Sequence, residues 1–177
     1  SDLKNTNCLL TENDFESFNS RFVKPIHVNL DDCKVYNLPP PTQGIASLLI
    51  LGILDKLNRK CDSEFHFIHS IVEATKKSFI LRDKYITDPD YMEIDVYELI
   101  NNDLFLKLAN KINYNKALEW PIKSQKGDTV WLGASDQFGN TISFIQSIFW
   151  EFGSGIYLPE TGITLQNRGS SFSLDSN

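Results

Sequence analysis

Gly127-Asp128-Thr129-Val130-Trp131-Leu132 opens a run of β-branched and aromatic residues that continues to Ser135, and a second such run spans Thr141 to Phe149. Between them lies Asp136-Gln137-Phe138-Gly139-Asn140, a turn-forming segment with a glycine where positive φ is cheap. Two such runs around one short turn predict a β-hairpin. Two breaks follow in quick succession, Phe152-Gly153-Ser154-Gly155 and Leu158-Pro159-Glu160-Thr161-Gly162, and the Ser-rich end from Gly169 to Asn177 reads as a loop. The sequence before Gly127 has a different character. The chain is helical first and β later, an α+β pattern.

Upstream of this junction, residues from about Asn113 to Gly127 are polar, contain Pro121, and read as a linker. Before them, Asp95 to Lys111 carries Leu99, Leu104, Leu106 and Leu108 and reads as a helix. A longer helix is expected from about Ser63 to Tyr85, with Ile68, Val72, Thr75 and Phe79 as its inward stripe and Asp88-Pro89-Asp90 closing the segment. Ile45 to Asn58 is apolar on most faces, which predicts a core helix. The prolines of Leu38-Pro39-Pro40-Pro41-Thr42-Gln43-Gly44 favour an extended entry to it, with Thr42 as its cap. Ile26 to Asn29 and Lys34 to Asn37 read as short strands around a turn at Asp31 and Asp32. At the start, Thr11 with Asp14 resembles a short capping box, and Phe15, Phe18 and Phe22 recur at helical spacing until Pro25.

Composition bounds the function. With 41% hydrophobic and 23% charged residues, the 177-residue chain is ordinary for a globular domain and long enough to bury a core. Lys and Arg number 17 against 23 Asp and Glu, a net charge of −6, so the phosphate backbone of a nucleic acid offers no attraction. The one strongly apolar run, Ile45 to Leu57, contains Asp55 and Lys56 and is too short to span a bilayer. Cys8, Cys33 and Cys61 lack zinc-ligand spacing; one disulfide among them stays open, but reduced, buried thiols are the more natural reading. The compartment is left undetermined, with the cytoplasm slightly favoured. Ser1 looks like an internal boundary rather than a true start.

Three stretches resemble the gamma-glutamyltranspeptidases and their acylase-like relatives. One is Leu38 to Gly44 with the apolar helix after it. Another runs from Glu73-Ala74 through Arg82-Asp83 to Asp88-Pro89. The third and most specific runs from Gly127 through Asp136 and Gly139-Asn140 to Phe152-Gly153-Ser154-Gly155, Gly162-Ile163 and Leu165-Gln166-Asn167-Arg168. The resemblance implies an N-terminal-nucleophile hydrolase with a four-layer αββα sandwich. It implies a precursor that cuts itself before a Thr, which then starts the small subunit and acts as nucleophile. Counting back from the turn puts the cut at Asp128-Thr129 and the nucleophile at Thr129. Residues 1–127 would be the last part of the large subunit, with 128–177 the start of the small one. The rest of both subunits would be partners of this segment, which alone would be inactive. No organic cofactor or metal is implied.

The chemistry fits the residue type. A Thr hydroxyl needs a base, and a Thr at a new N-terminus carries one in its own α-amino group. Ser147 stands where the family has a hydroxyl residue hydrogen-bonded to the nucleophile. Phe149 occupies the place of a typical Asn. Arg168 replaces a Gln, and Ser171 replaces the acidic residue that pairs with the ammonium of a γ-glutamyl substrate. The loop has lost an anion and gained a cation, so charge complementarity favours an acyl group with a carboxylate and no free amine, of glutaryl type, over a γ-glutamyl one.

Other candidates read more simply. His66 and His69 are spaced for one helix face, but exposed helix histidines explain them without a metal. Asp83, Asp88 and Asp90 suit helix-end and turn roles better than calcium. A rival reading of the whole chain is a non-catalytic folded or interaction domain in which Thr129 is never exposed.

Overall fold

A computed structural model describes residues 3, 6, 8–57, 63–120 and 129–171. In chain order the elements are helix α1 (Glu12–Ser17), strands β1 (Ile26–Asn29) and β2 (Lys34–Asn37), helices α2 (Gly44–Asp55), α3 (Glu64–Tyr85), α4 (Val96–Leu99) and α5 (Asn102–Ala109), and strands β3 (Val130–Ser135), β4 (Thr141–Gln146), β5 (Tyr157–Leu158) and β6 (Ile163–Thr164). They fall into two compact units, residues 21–121 and residues 1–20 with 122–177. Among the described residues the strands form three two-stranded antiparallel sheets.

The unit of residues 21–121 is built around α2. Ile45, Leu48, Leu49 and Ile53 are fully buried there, as an apolar helix with no polar face requires. Ile26 and Val28 of β1, Ala74 of α3, and Leu99, Ile100, Phe105, Ala109 and Ile112 complete this core. The β1–β2 hairpin has the expected limits, and its register sets Ile26 opposite Asn37 and Asn29 opposite Lys34. Side chains fix it to α2: Asn37 Nδ2 donates to Ser47 Oγ at 2.7 Å, and Asp31 N donates to Asp55 Oδ1 at 3.0 Å.

Several local expectations are corrected here. The proline segment turns rather than extends, with Thr42 N–H donating to Pro39 O at 3.3 Å. Gln43 is the N-cap of α2, while Thr42 Oγ1 accepts from Gly44 N. In α3 the inward face is Ser70, Glu73, Ala74 and Ser78; Ile68 and Val72 are exposed. Ala74 packs into the same core as the α2 side chains, and the Ser78 hydroxyl satisfies itself on Ala74 O at 2.8 Å, so burying it costs little. The stretch from Asp95 to Lys111 is two helices. Asp95 caps α4 by accepting from Tyr97 N, and Asn101 caps α5 by accepting from Leu104 N, which leaves Leu106 exposed. Helix α1 keeps its Thr11–Asp14 pairing but stops at Ser17, so Phe18 and Phe22 lie outside it and exposed. Cys33 is exposed rather than buried.

Residues 113–120, read as linker, are docked on α3. Both carboxylate oxygens of Glu73 accept from Leu118 N at 3.1 Å, and Lys76 Nζ donates to Leu118 O at 2.7 Å and to Glu73 Oε1 at 2.9 Å. His69 Nε2 lies 3.0 Å from Asn113 O, and Tyr114 Oη 3.1 Å from Ser70 Oγ. Burial alone would push the Glu73 carboxyl up, but the Lys76 ammonium and the Leu118 N–H hold it below its ordinary value.

Candidate active site

The hairpin of the other unit positions the candidate residues. Its turn is closed by Asp136, whose Oδ1 accepts from Phe138 N and Asn140 N, both at 2.9 Å, and whose Oδ2 accepts from Asn140 Nδ2 at 2.8 Å. The Asn140 side chain, outweighing a small burial effect, and the main-chain donors of the turn hold the Asp136 carboxyl below its ordinary range. Gly139 has φ 84° and supplies the left-handed step. The register pairs Ser135 with Thr141 and Val130 with Gln146. One step further on, Thr129 Oγ1 donates to Ser147 Oγ at 2.9 Å.

Ser147 Oγ also accepts from Phe149 N at 3.0 Å. Phe149 has φ 80°, an uncommon conformation for a bulky side chain, and its ring stacks on Trp150 with centroids 6.3 Å apart. The chain bends away from the hairpin here instead of continuing as strand.

A second loop is fastened to that bend. Asn167 N donates to Ile148 O at 3.3 Å, and Asn167 Oδ1 accepts from Trp150 N at 3.1 Å. Leu165 O accepts from both Ser154 N and Ser154 Oγ at 2.9 Å. Gly153, with φ 55°, lies so close that a β-carbon there would meet Leu165 O at 2.5 Å. The loop delivers Arg168, half-buried at the start of a 3₁₀ turn that ends at Ser171. Its main-chain N–H donates to Gln166 Oε1, and its Nη2 donates to Ser147 O at 3.4 Å.

Thr129, Ser147, Phe149 and Arg168 are thus brought together. Asp128 lies outside the described residues, and Ser171 is placed by its backbone alone. Reading the sequence missed the fastening role of Asn167, Gln166 and Gly153. The signal was present only as the Gln166-Asn167 pair and the doubled glycine, whose partners are remote in sequence. Among the described residues no group of His, Cys, Asp and Glu is gathered as for a metal ion, and no helix is long and apolar enough to cross a membrane.

The structure thus sets a hydroxyl pair at a strand start beside a cation on the adjoining loop. The chain belongs to the gamma-glutamyltranspeptidase family, whose profile matches residues 1–177. It is 45% identical over 166 residues to the oxamate amidohydrolase proenzyme of Klebsiella pneumoniae, covering 94% of this chain and 31% of that protein. It is 38% identical over 181 residues to a glutathione hydrolase-like proenzyme of Bacillus subtilis, covering 100% of this chain and 34% of that protein. In structure it is similar to a cephalosporin acylase from Bacillus halodurans, with TM-score 0.84, 32% identity and coverage of 98% of this chain and 32% of that one. These relatives place it in the acylase-like branch. The chain spans about a third of the length of the relatives it matches.

Proposed function

We propose that the whole protein is an amide hydrolase acting through a Thr129 acyl-enzyme after the chain has cut itself at Asp128-Thr129. The single observation that carries this is the Thr129–Ser147 hydroxyl pair at 2.9 Å. In maturation the Thr129 hydroxyl attacks the Asp128 carbonyl, the peptide C–N bond breaks, and an ester and a free α-amine form. Water then opens the ester. In turnover the same hydroxyl attacks the substrate amide, its proton passing to the Thr129 α-amine. That amine has an ordinary pKa of about 7.7–8.0, well matched to proton transfer near neutrality. The leaving amine takes the proton, and water releases the acid; an amine acceptor in place of water gives transfer. Ser147 holds the nucleophile's rotamer.

In this reading residues 1–127 end the large subunit and 128–177 begin the small one, inside a four-layer αββα sandwich completed by the rest of both subunits. The substrate is a small amide whose acyl half bears a carboxylate. Arg168 supplies the complementary charge, and Phe149 and Ser171 stand at the sequence positions where the resemblance implies an Asn and an amine-pairing acidic residue. Oxamate, the substrate in the name of one relative, has this chemistry: an amide, a carboxylate and no amine.

Mass spectrometry of the full-length protein tests the reading. A fragment beginning Thr129-Val130-Trp131 is expected, and T129A should remain uncut and inactive. A single mass unchanged on long incubation would sink the proposal and favour a non-catalytic domain.

A further inference from the structure

We propose that Trp131 is a platform for the leaving half of the substrate, so that the site takes secondary amides whose amine carries a flat apolar group. This rests on the reading of Thr129 as nucleophile with the acyl group on the Arg168 side.

The register puts Trp131 next to the nucleophile. Side chains alternate along a strand, so Thr129, Trp131 and Gly133 share one face with Ser147, Ile145 and Ser143 opposite them. Trp131 and Ile145 form the row adjoining the hydroxyl pair, about 7 Å along the strand. The indole is held rather than loose. Its Nε1 donates to Ser143 Oγ at 2.9 Å. A β-carbon at Gly133 would meet the ring at 2.8 Å from Cη2 and 3.0 Å from Cζ2, so the missing side chain is what seats it. Gly133 is on the turn side of Trp131, and the ring therefore lies toward the turn, out of the way of attack by Thr129.

The two faces of the hairpin differ in kind. Val130, Leu132, Ala134, Ile142 and Phe144 make one face apolar, and that face suits packing against further protein. The nucleophile's face is lined by hydroxyls, with Ser135, Thr141 and Ser143 continuing from Thr129 and Ser147. On it Trp131 and Ile145 are the apolar exception, 63% and 50% exposed. An indole already fixed in place loses little side-chain freedom when a ligand ring stacks on its open side.

The order of residues along the hairpin sets which half of the substrate meets the indole. Arg168 contacts the Ser147 main chain, and its loop is fastened to Ile148 and Trp150, beyond the hydroxyl pair. Trp131 lies on the other side of the pair, toward the turn. The acyl chain and the amide nitrogen diverge from the attacked carbonyl carbon. An acyl group directed to the Arg168 loop therefore sends the substituent on the nitrogen toward Trp131. The contact is made by the amine before it leaves and is lost with it, so the acyl-enzyme that water opens is the same for every amine.

The test uses the matured full-length protein with N-methyloxamate, N-benzyloxamate and N-phenethyloxamate, which share one acyl half and release alkylamines. In the wild type, kcat/KM for the better of the two aromatic amides is expected to exceed that for the N-methyl amide about tenfold, chiefly through a lower KM. W131A should bring that ratio to within about twofold of one. W131F keeps a smaller ring without its tether and S143A keeps the indole untethered; both should give intermediate ratios, and they decide the matter if W131A does not fold. Equal losses on all three amides in these variants would mark Trp131 as structural and overturn the proposal. A preference for apolar substituents on the acyl half that W131A abolishes would overturn the orientation. A matured wild type that hydrolyses oxamate but none of the N-substituted amides, or that shows no aromatic preference among them, refutes the platform alone. A wild type that never cuts itself refutes the reading of Thr129 and the platform with it.

Discussion

Thr129 Oγ1 lies 2.9 Å from Ser147 Oγ, one register step beyond the last ladder pair of the hairpin, Val130 with Gln146. The strand pairing itself therefore aligns the two hydroxyls. Ser147→Ala removes the partner but not the nucleophile. The expected result is self-cleavage that still occurs but is slower, and kcat lowered about tenfold to a hundredfold with KM little changed. Ser147→Thr should recover most of that loss. Time courses of cleavage on denaturing gels and steady-state kinetics check both.

Gly153 permits the close approach of the bend after β4 to Leu165. A β-carbon would meet Leu165 O at 2.5 Å, at a φ of 55° that side chains rarely adopt. Gly153→Ala is expected to cost about 1–3 kcal/mol and to loosen the loop that carries Arg168. Thermal unfolding should show the loss of stability. Kinetics should show a larger rise in KM for carboxylate-bearing amides than for neutral ones.

Glu73 grips Leu118 through its main-chain N–H while Lys76 grips the carbonyl of the same residue. Only 2% of Glu73 is exposed, so removing its carboxylate leaves a cavity and takes the partner from the Leu118 N–H and the Lys76 ammonium. Glu73→Ala is expected to destabilise by about 3 kcal/mol in denaturant unfolding. The pH dependence has a definite sign. The folded-state pKa is lowered, so the stabilisation is present above the ordinary glutamate value and is lost as pH falls through the lowered one. Glu73→Gln should flatten that acid limb of the stability–pH curve while leaving the remaining limb unchanged.

Gly52 faces the ring of Phe105, where a β-carbon would meet Cε2 at 2.4 Å. Alanine is the better helix former by about 1 kcal/mol, yet both α2 and the Phe105 side chain are buried and the ring cannot yield. Gly52→Ala should therefore destabilise, by about 1–3 kcal/mol, against the trend of helix propensity. Gly52→Ala combined with Phe105→Leu should regain part of that loss, which chemical denaturation of the single and double variants measures.

The sequence by itself determined the local elements and the place of the hydroxyl pair. Ile26–Asn29, Lys34–Asn37 and the β3–β4 hairpin are visible because alternation and turn residues act over a few positions. Thr129 was reached by counting back from the turn and Ser147 through the family resemblance, and the register sets them opposite each other. What only the tertiary structure decided depends on distant neighbours. The face of α3 that turns inward is Ser70, Glu73, Ala74 and Ser78 rather than the more apolar Ile68 and Val72, because close helix packing rewards small side chains that satisfy their own polar atoms. The break at Asn101 and the docking of Leu118 escape periodicity for the same reason: a cap and a buried ion pair compete with it. Arg168 was recognisable as a change of charge, but its place beside Ser147 depends on Asn167 bonding to Ile148 and Trp150. Those partners lie 17 residues and more away along the chain, and only folding brings them within hydrogen-bond reach.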